Sequence, residues 1–303
     1  MVKPDFELHP MPPFRLDLTV WALRRVPHNA MDRWDGEHYR RVLVVDTHPI
    51  LVTVRQTAPP EAPALAVTLR GTHVSHHDKT AIGALLESML GLTIDLTAFD
   101  RHASVNPHLA ALAERFIGFK PPRLPSVFEA LVNGFACQQI SLKAGMTLLN
   151  RLCAAYGLAV EDQYAFPRPS DLVDAEVADL RAMGYSTRKA MNILGLASAV
   201  MQGEVDLESL HQDDDATAVT RLQQLAGVGR WTAQYVLLRG LGRIDMFPAD
   251  DVGGQAKLQR WLGLAERPDY TVMHQILDRW EPYRGLIYFL LLLDQLSRDG
   301  VIQ

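Results

Sequence analysis

Two glycines, one residue apart, interrupt an otherwise helical pattern at residues 222–240, which read LQQLAGVGRWTAQYVLLRG. Glycine inside a helix costs about 1 kcal/mol relative to alanine. Gly227 and Gly229 therefore predict a break, with one helix ending before them and a second beginning near Arg230 or Trp231. This part of the chain must fold as two helices joined by a tight turn, which limits the folds that can contain it.

A turn of this kind is suited to binding an anion. Glycine allows positive φ and the close approach of a ligand, and free N–H groups at the start of a helix favour a negative charge such as phosphate. The alternative is a tight connection between two helices without any ligand, and the glycine pair alone does not decide between the two. A dinucleotide-binding loop fits less well, because a helix precedes the glycines and Thr232 stands where that loop has its third glycine.

The first hundred residues are predicted to form an antiparallel sheet with helices. Apolar residues at positions 14, 16, 18 and 20 alternate with polar ones, which is the period of a half-buried strand. The other predicted elements are a hairpin of residues 41–45 and 50–55 around the turn at 46–49, a strand over 64–70 and a helix over about 78–92.

After about residue 100 the pattern predicts helices joined by short loops. Ser126 and Glu129 form a capping-box signature that opens a long helical segment ending at Gly157, with residues 137–141 interrupting its apolar pattern. A helix pair over about 174–200 and an aspartate cap at 213–215 precede the glycine turn. We therefore predict an α+β fold, with a small N-terminal α/β domain over residues 1–100 and an all-α domain over residues 101–303.

Composition and charge leave the class of protein broad. The chain has 303 residues, of which 48% are hydrophobic and 21% charged, as in an ordinary soluble globular protein. The net charge of −5 argues mildly against a nucleic-acid coat protein, but a DNA enzyme needs only a local basic face. The longest apolar run, residues 286–293, is far shorter than the ~20 residues that span a bilayer. With no apolar stretch near the N-terminus and only two cysteines, we expect no secretory signal, no disulfide framework and a cytoplasmic protein.

The glycine hairpin and the residues after it resemble the helix-hairpin-helix DNA glycosylases, the HhH-GPD superfamily. Residues 225–235, then Leu238-Arg239-Gly240, then Phe247-Pro248-Ala249-Asp250-Asp251 carry the resemblance. They are similar to the P-G-[IV]-G-x-W-T-A-x-Y and [FL]-P-x-D-D stretches of the bacterial 3-methyladenine DNA glycosylase II (AlkA-type) family, except that Ala226 replaces the usual proline. The stretches QQIS at 138–141 and WEPYR at 280–284 also have counterparts. The resemblance implies a two-lobed glycosylase domain, with its helix-hairpin-helix at about residues 213–240.

This resemblance assigns the catalytic role to the second aspartate of the pair. Breaking an N-glycosidic bond builds positive charge on the sugar, and a carboxylate beside C1′ can stabilise that charge and orient the attacking water. By resemblance this carboxylate is Asp251. Asp250 is expected to cap the helix that starts near Val252, since aspartate favours helix N-termini. Without the resemblance, both residues read as an exposed capping doublet in a loop.

One replacement implies a reaction with water. Superfamily members that also cut the DNA strand use a lysine two residues after the second hairpin glycine, where it forms a Schiff base with the sugar. Trp231 occupies that position here, and no four-cysteine iron–sulfur loop follows. We therefore expect a monofunctional glycosylase with no cofactor for catalysis.

Aromatic residues are expected to hold the base once it has left the helical stack. Trp231 and Tyr235 lie four residues apart on one helix face, and the resemblance adds Tyr283 to the same pocket. Their rings attract cationic bases such as 3-methyladenine and 7-methylguanine by about 0.5–2 kcal/mol, although core packing is the commoner role of aromatics at this spacing. The resemblance also places Gln139 at the position where the family inserts a wedge side chain into the gap left by the flipped base.

The remaining predictions concern the DNA backbone and metals. Gly227, Gly229, Arg230 and Thr232 form the predicted phosphate-binding hairpin. Weaker candidates for DNA contacts are Arg188, Lys189 and Arg284. The resemblance also implies a structural, monovalent cation held by the backbone carbonyls of Gln223, Leu225 and Gly227. His73, His76 and His77 are expected to lie in a solvated loop without a metal, because no carboxylates or cysteines cluster with them in the sequence.

The expected function is the removal of alkylated bases from double-stranded DNA in base excision repair. We expect a monomer that is cytoplasmic, associated with the nucleoid and independent of membranes. Two alternatives stay open, a non-catalytic helix-hairpin-helix protein that binds DNA or recognises damage, and a glycosylase that also acts as a lyase. The sequence does not rank alkylated purines against hypoxanthine, ethenoadenine or alkylated pyrimidines as substrates.

Overall fold

The N-terminal part contains the predicted antiparallel sheet. The structure is a computed structural model that describes residues 3–302, so Met1, Val2 and Gln303, at the outer ends of the two predicted domains, lie outside the described residues. Five strands pair in the order β1-β5-β4-β3-β2, each antiparallel to its neighbours. They are β1 (Phe6–Leu8), β2 (Arg33–Trp34), β3 (His38–Val45), β4 (His48–Gln56) and β5 (Leu65–Arg70). The hairpin predicted around residues 46–49 is confirmed as β3–β4.

The strand predicted at residues 14–20 is wrong, because this segment enters a helix, α1 (Leu16–Arg24). Leu16 and Val20 pack into the core that includes the sheet, whereas Leu18 and Ala22 pack into a second core. Each pair has the four-residue spacing of a helix. Because α1 is buried on two sides, the two apolar stripes together give the alternation that is typical of a strand.

The rest of the chain is mostly helical, as predicted, and the α+β fold class is confirmed. The helices are α2 (His76–Met89), α3 (Thr97–Ser104), α4 (Pro107–Arg115), α5 (Val127–Cys137), α6 (Leu142–Tyr156), α7 (Val177–Ala182), α8 (Thr187–Met201), α9 (Asp215–Gln223), α10 (Arg230–Arg239), α11 (Val252–Leu262), α12 (Tyr270–Leu277) and α13 (Arg284–Arg298). Short 3₁₀ helices cover Pro169–Leu172, Glu208–Gln212 and Asp278–Trp280. The helical part also contains a small ribbon of β6 (Ala159–Val160) and β7 (Gln163–Tyr164), which packs on the N-terminal sheet. Among residues 3–302, no helix combines the length and the apolar character needed to cross a membrane.

The long helical segment predicted from Ser126 to Gly157 is two helices, α5 and α6. The Ser126 side chain accepts a hydrogen bond from the backbone N–H of Glu129, as a helix cap should. The Glu129 carboxylate turns away to Arg41 instead of bonding back to the cap, so only half of the predicted capping box forms. Residues 138–141 separate the two helices, and Ser141 caps the second one.

Two apolar cores hold the molecule together. The first lies between the sheet and α2, α5, α6, α8, α9 and α10, and the second joins α3, α4, α11, α12 and α13. The apolar run at residues 286–293 lies in α13 and is buried in the second core, apart from one half-buried residue. The boundary predicted between residues 100 and 101 falls within α3, and the division into two domains stays a prediction.

Candidate active site around the glycine hairpin

The two hairpin glycines have different roles in the turn between α9 and α10. Gly227 has φ +80°, and a Cβ placed on it would lie 1.8 Å from the side-chain nitrogen of Asn192, so both the backbone and the packing require glycine. Gly229 has an ordinary negative φ of −92°, and a Cβ there would meet no atom within 4 Å. The expectation of positive φ therefore holds for the first glycine only, because the second is extended backbone at the start of α10. Open space in front of Gly229 leaves the beginning of that helix accessible.

The start of α10 offers unpaired backbone donors. Gly229 is the N-cap residue and has no side chain that could accept a hydrogen bond. Within residues 3–302, the N–H groups of Arg230, Trp231 and Thr232 have no acceptor. Uncapped N–H groups at a helix N-terminus attract anions, and the helix dipole adds to the attraction.

The segment that carries the predicted wedge is attached to this hairpin. The amide nitrogen of Gln138 donates to the Gly227 carbonyl at 3.0 Å and to the Thr232 hydroxyl at 2.9 Å. The next residue, Gln139, is exposed and has φ +56°, a left-handed conformation that is uncommon for a residue with a side chain. Ile140 follows and is 41% exposed. Residues 139–140 thus project from a segment whose base is fixed to the hairpin.

Lys189, predicted as a DNA contact, supports the same segment from α8. Its ammonium donates to the carbonyls of Ala136 at 2.9 Å and Gln138 at 2.8 Å. Burial lowers its pKa. A cation at the last carbonyls of α5 also interacts favourably with the helix dipole. The structure therefore gives Lys189 a role within the protein, and its contact with DNA stays a prediction.

The expected capping role of Asp250 is wrong, because Asp251 is the N-cap of α11. The Asp251 carboxylate accepts a hydrogen bond from the N–H of Gly254 at 2.9 Å. Asp250 turns toward the hairpin and forms an ion pair with Arg230, at 2.6 and 3.0 Å. Both aspartates favour helix N-termini equally well, so residue type alone could not tell them apart.

Asp251 is held by one of its two oxygens. Oδ2 accepts from the Gly254 N–H and also from the Tyr288 hydroxyl, at 2.9 Å in each case. Within residues 3–302 no donor bonds to Oδ1. Burial of the Tyr288 hydroxyl, and then the negative charge of Asp251, raise the pKa of Tyr288 well above its ordinary value, so this hydroxyl stays a donor. The half-buried carboxylate is therefore fixed in place but keeps one oxygen available.

Lys257 lies on α11 close to the same carboxylate. Its ammonium donates to the Gly253 carbonyl at 3.2 Å. Burial lowers the pKa of Lys257, while the nearby Asp251 charge opposes that change. This lysine adds positive charge beside the candidate catalytic group without a direct ion pair.

Two of the three aromatic residues predicted for the base pocket lie together. Trp231 and Tyr235 are stacked, with ring centroids 5.5 Å apart and planes at 24°. Trp231 is half-buried, whereas Tyr235 is only 3% exposed. The Tyr235 hydroxyl accepts a hydrogen bond from Arg25 at 3.0 Å. The accessible face of the pair thus belongs mainly to Trp231.

Tyr283, the third predicted aromatic residue, makes its ring contacts elsewhere. Its ring packs against Phe99 at 5.3 Å and His102 at 5.5 Å, both on α3. It immediately precedes α13, whose later residue Tyr288 is the one that reaches Asp251. Its part in a base pocket stays a prediction.

The arginine candidates for DNA contacts differ in how far they are already paired. Arg230 bonds Asp250 and lies over the Tyr270 ring, 3.7 Å from the centroid. Arg284 bonds Asp245, with Nε to Oδ1 at 2.9 Å. Arg188 is exposed on α8. Arg230 and Arg284 would have to exchange or share their carboxylate partners in order to bind phosphate.

Two of the three carbonyls predicted to hold a cation already accept a hydrogen bond. The Gly227 carbonyl accepts from Gln138 and the Leu225 carbonyl accepts from the N–H of Val228 at 3.1 Å. Each carbonyl oxygen has a second lone pair, so a cation at these oxygens stays a prediction. In the described part of the chain, no group of three or more histidine, cysteine, aspartate or glutamate side chains is placed to bind a metal ion.

Sequence reasoning missed three residues that shape this site: Arg25, Gln138 and Tyr288. Arg25 lies 210 positions from Tyr235, and Tyr288 lies 37 positions from Asp251. Neither pair has a local spacing that could reveal it. Gln138 did have a signal, since the polar doublet at 138–139 interrupts an apolar helix pattern, but only its second member was singled out.

Comparison with known proteins supports the family suggested by the sequence. Residues 132–282 match the model of the HhH-GPD superfamily base excision DNA repair proteins. The chain is 29% identical to a DNA-3-methyladenine glycosylase of Bacillus subtilis over 201 residues, covering 65% of this chain and 66% of the relative. It is 30% identical to DNA-3-methyladenine glycosylase 2 of Escherichia coli over 184 residues, covering 60% of this chain and 62% of the relative. The chain thus spans slightly less than two thirds of the length of either relative.

A solved structure extends the similarity to nearly the whole fold. The 3-methyladenine DNA glycosylase from Archaeoglobus fulgidus superposes with a TM-score of 0.82 at 26% identity. The match covers 96% of this chain and 98% of that one. It therefore includes the N-terminal sheet as well as the helices around the hairpin.

Proposed function

Because the chain belongs to the HhH-GPD superfamily of base excision DNA repair proteins, we propose that it is a monofunctional DNA glycosylase that hydrolyses alkylated bases from duplex DNA. The observation that carries this proposal is the Asp251 carboxylate. One of its oxygens is held by Gly254 and Tyr288, and the other has no donor from residues 3–302. A carboxylate held in this way beside an anion-binding hairpin suits chemistry on a sugar in the DNA backbone.

The proposed reaction needs one carboxylate and one water molecule. The bond between C1′ and the base nitrogen breaks, and its electron pair leaves with the base. Positive charge develops on the sugar, where the open oxygen of Asp251 stabilises it, as preorganised groups stabilise transition-state charge. The water oxygen then bonds to C1′ and gives up a proton, and Asp251 is the proposed acceptor of that proton.

Cationic bases are the proposed substrates. A purine that is alkylated on a ring nitrogen carries a positive charge and becomes neutral when it takes the electron pair, so its departure needs no acid. The stacked rings of Trp231 and Tyr235 would attract the same positive charge. We therefore place 3-methyladenine and 7-methylguanine ahead of neutral lesions such as hypoxanthine.

The proposal includes no strand cleavage. A lyase needs an amine that can condense with the sugar aldehyde, and the superfamily position for that lysine is Trp231. Double-stranded DNA would approach through the free N–H groups at the start of α10. We also propose that the protein acts as a monomer in the cytoplasm.

A panel of duplexes tests this proposal, each with one lesion: 3-methyladenine, 7-methylguanine, hypoxanthine, ethenoadenine or 3-methylcytosine. Free base is measured after reaction with the wild type and with Asp251→Asn, and borohydride trapping is run in parallel. We expect the wild type to release the cationic purines and Asp251→Asn to release none, without any trapped adduct.

Each contrary outcome has its own meaning. If the duplexes bind but no base is released from any lesion, the protein only binds DNA. If Asp251→Asn releases base at the wild-type rate, the catalytic assignment is wrong. A covalent adduct that appears with borohydride would make the enzyme a lyase.

A further inference from the structure

The two oxygens of Asp251 differ in their surroundings, and Tyr288 accounts for much of the difference. The N–H of Gly254 and the hydroxyl of Tyr288 both bond Oδ2, each at 2.9 Å. The first donor belongs to the helix that Asp251 caps, and the second reaches it from α13. A single cap bond would leave the carboxylate able to swing about its end, because the terminal torsion of aspartate is soft. A second donor from a different helix removes that freedom.

The Tyr288 side chain is itself well fixed. Its ring meets Phe247 edge-on at 5.2 Å and 89°, and Phe247 is buried. Gly254 also lies against the Tyr288 ring. A Cβ on this glycine would lie 3.2 Å from the ring and 3.2 Å from Asp251 Oδ2. Glycine at position 254 therefore lets the tyrosine and the aspartate approach each other.

We propose that Tyr288 is a positioning residue for the reaction: by holding Oδ2 of Asp251, it turns Oδ1 toward C1′ of the flipped nucleotide. This inference rests on the proposed function of Asp251. A carboxylate with free rotation would present either oxygen and spend part of its time turned away. The tyrosine leaves the charge in place and fixes its direction, which is the condition for stabilising a charge that develops at one atom.

Tyr288→Phe tests the hydroxyl alone, because the phenylalanine ring keeps the contact with Phe247. Tyr185→Phe is the matched control. Tyr185 is also buried, and its hydroxyl has no partner among the described residues. The control therefore removes a buried hydroxyl that does not contact Asp251. Melting temperatures of both variants report any general loss of stability.

The first readout is binding to two uncleavable duplexes. One carries a protonated pyrrolidine in place of the target deoxyribose, which mimics the cationic sugar, and the other carries a neutral tetrahydrofuran. A well-aimed carboxylate favours the cation, as transition-state mimics bind more tightly than neutral analogues. We expect Tyr288→Phe to reduce the ratio of the two affinities roughly 10-fold, the effect of losing one hydrogen bond to a charged group. Tyr185→Phe should keep the wild-type ratio.

The second readout is the single-turnover rate of base release. We expect Tyr288→Phe to lower the rate constant roughly 10-fold, with little change in the affinity for lesion DNA. An unchanged affinity ratio in Tyr288→Phe would overturn the positioning role, as would a loss of affinity that is equal for both duplexes. If Tyr288→Phe lowers the ratio while no lesion is ever cleaved by the wild type, the positioning stands and the proposed hydrolysis fails.

Discussion

A buried pair of carboxylates and the carboxylate of Asp251 differ in how completely their oxygens are hydrogen-bonded. Asp32 and Glu129 lie between the sheet and α5, with side chains only 2% and 3% exposed, and every oxygen accepts at least one hydrogen bond. Arg41 donates hydrogen bonds to both carboxylates. Tyr39 and Asn29 also donate to Asp32. Asp251, in contrast, is half-buried and keeps one oxygen without a donor from residues 3–302. A carboxylate bonded on every oxygen can hold a fold together but has nothing left for a substrate.

The pKa values of the two carboxylates that Arg41 bonds are shifted in opposite directions. Burial alone would raise the pKa of Asp32, but the Arg41 guanidinium together with the hydrogen bonds from Tyr39 and Asn29 outweighs burial and keeps that pKa below its ordinary value. For Glu129 burial wins, and its pKa is raised in spite of the same arginine. The stability supplied by ionised Asp32 is therefore present at neutral pH and is lost as the pH falls through its lowered pKa.

Breaking the cluster of Asp32, Arg41 and Glu129 should have the largest effect, a loss of folding stability. Arg41→Met leaves two buried carboxylates without a cation, and removal of one partner from such a cluster costs about 3–5 kcal/mol. Chemical denaturation at pH 7 measures the free energy of unfolding. The deficit should shrink toward pH 5, because unpaired buried carboxylates bind protons more readily in the folded state. A loss below about 1 kcal/mol at pH 7 would show that the cluster is as weak as a surface ion pair.

Trp231→Ala should leave the cluster of Asp32, Arg41 and Glu129 intact and weaken the binding of the flipped base. Loss of the half-buried ring removes about 1–3 kcal/mol of base stacking, which corresponds to a kcat/KM roughly 5 to 150 times lower on a cationic lesion. Single-turnover rates on a 7-methylguanine duplex, measured at enzyme concentrations below saturation, report this ratio. Trp34→Ala is the control, since Trp34 is also half-buried but packs against the core of the sheet. Equal losses of activity in both variants would mean that Trp231 is only a packing residue.

Arg25→Met tests the connection between the two regions and should have the smallest effect on activity. Arg25 donates to Tyr235 at 3.0 Å and to Asn133 at 2.7 Å, and Asn133 lies one helical turn from Glu129. Without this bond Tyr235 is less well fixed beneath Trp231, and we expect base release to slow by about 5-fold, which corresponds to about 1 kcal/mol, a typical net value for one hydrogen bond. Arg24→Met is the control, because Arg24 is also buried but donates to the backbone carbonyls of Pro27 and Trp34. If Arg24→Met slows base release as much as Arg25→Met does, the bond to Tyr235 has no specific role.

The sequence was informative wherever a pattern is local. The β3–β4 hairpin and the turn at Gly227 follow from short spacings, and so does the resemblance that led to Asp251. Local reasoning failed for α1, because burial on two sides gave a helix the pattern of a strand. It also assigned the helix cap to Asp250, since two adjacent aspartates have the same preference and only the ion pair with Arg230 separates them.

Contacts between distant segments could not be predicted. Tyr288 lies in a run of apolar residues in α13, where an aromatic residue reads as core packing, and nothing near it in the sequence indicates a hydrogen bond to Asp251. The same holds for Arg25, at the end of a helix that was predicted as a strand. The catalytic carboxylate could therefore be proposed from the sequence, whereas the residues that hold it and its neighbours required the fold.

The most direct test of this account compares Asp251→Asn with Asp32→Asn, measuring both base release and thermal unfolding for each. Asparagine caps a helix about as well as aspartate, so Asp251→Asn should melt like the wild type while its single-turnover rate falls roughly 10³-fold. Asp32→Asn should lower the melting temperature and keep the rate per folded molecule. If Asp251→Asn keeps the wild-type rate, or if Asp32→Asn abolishes base release in a protein of unchanged stability, the distinction between the two carboxylates is wrong.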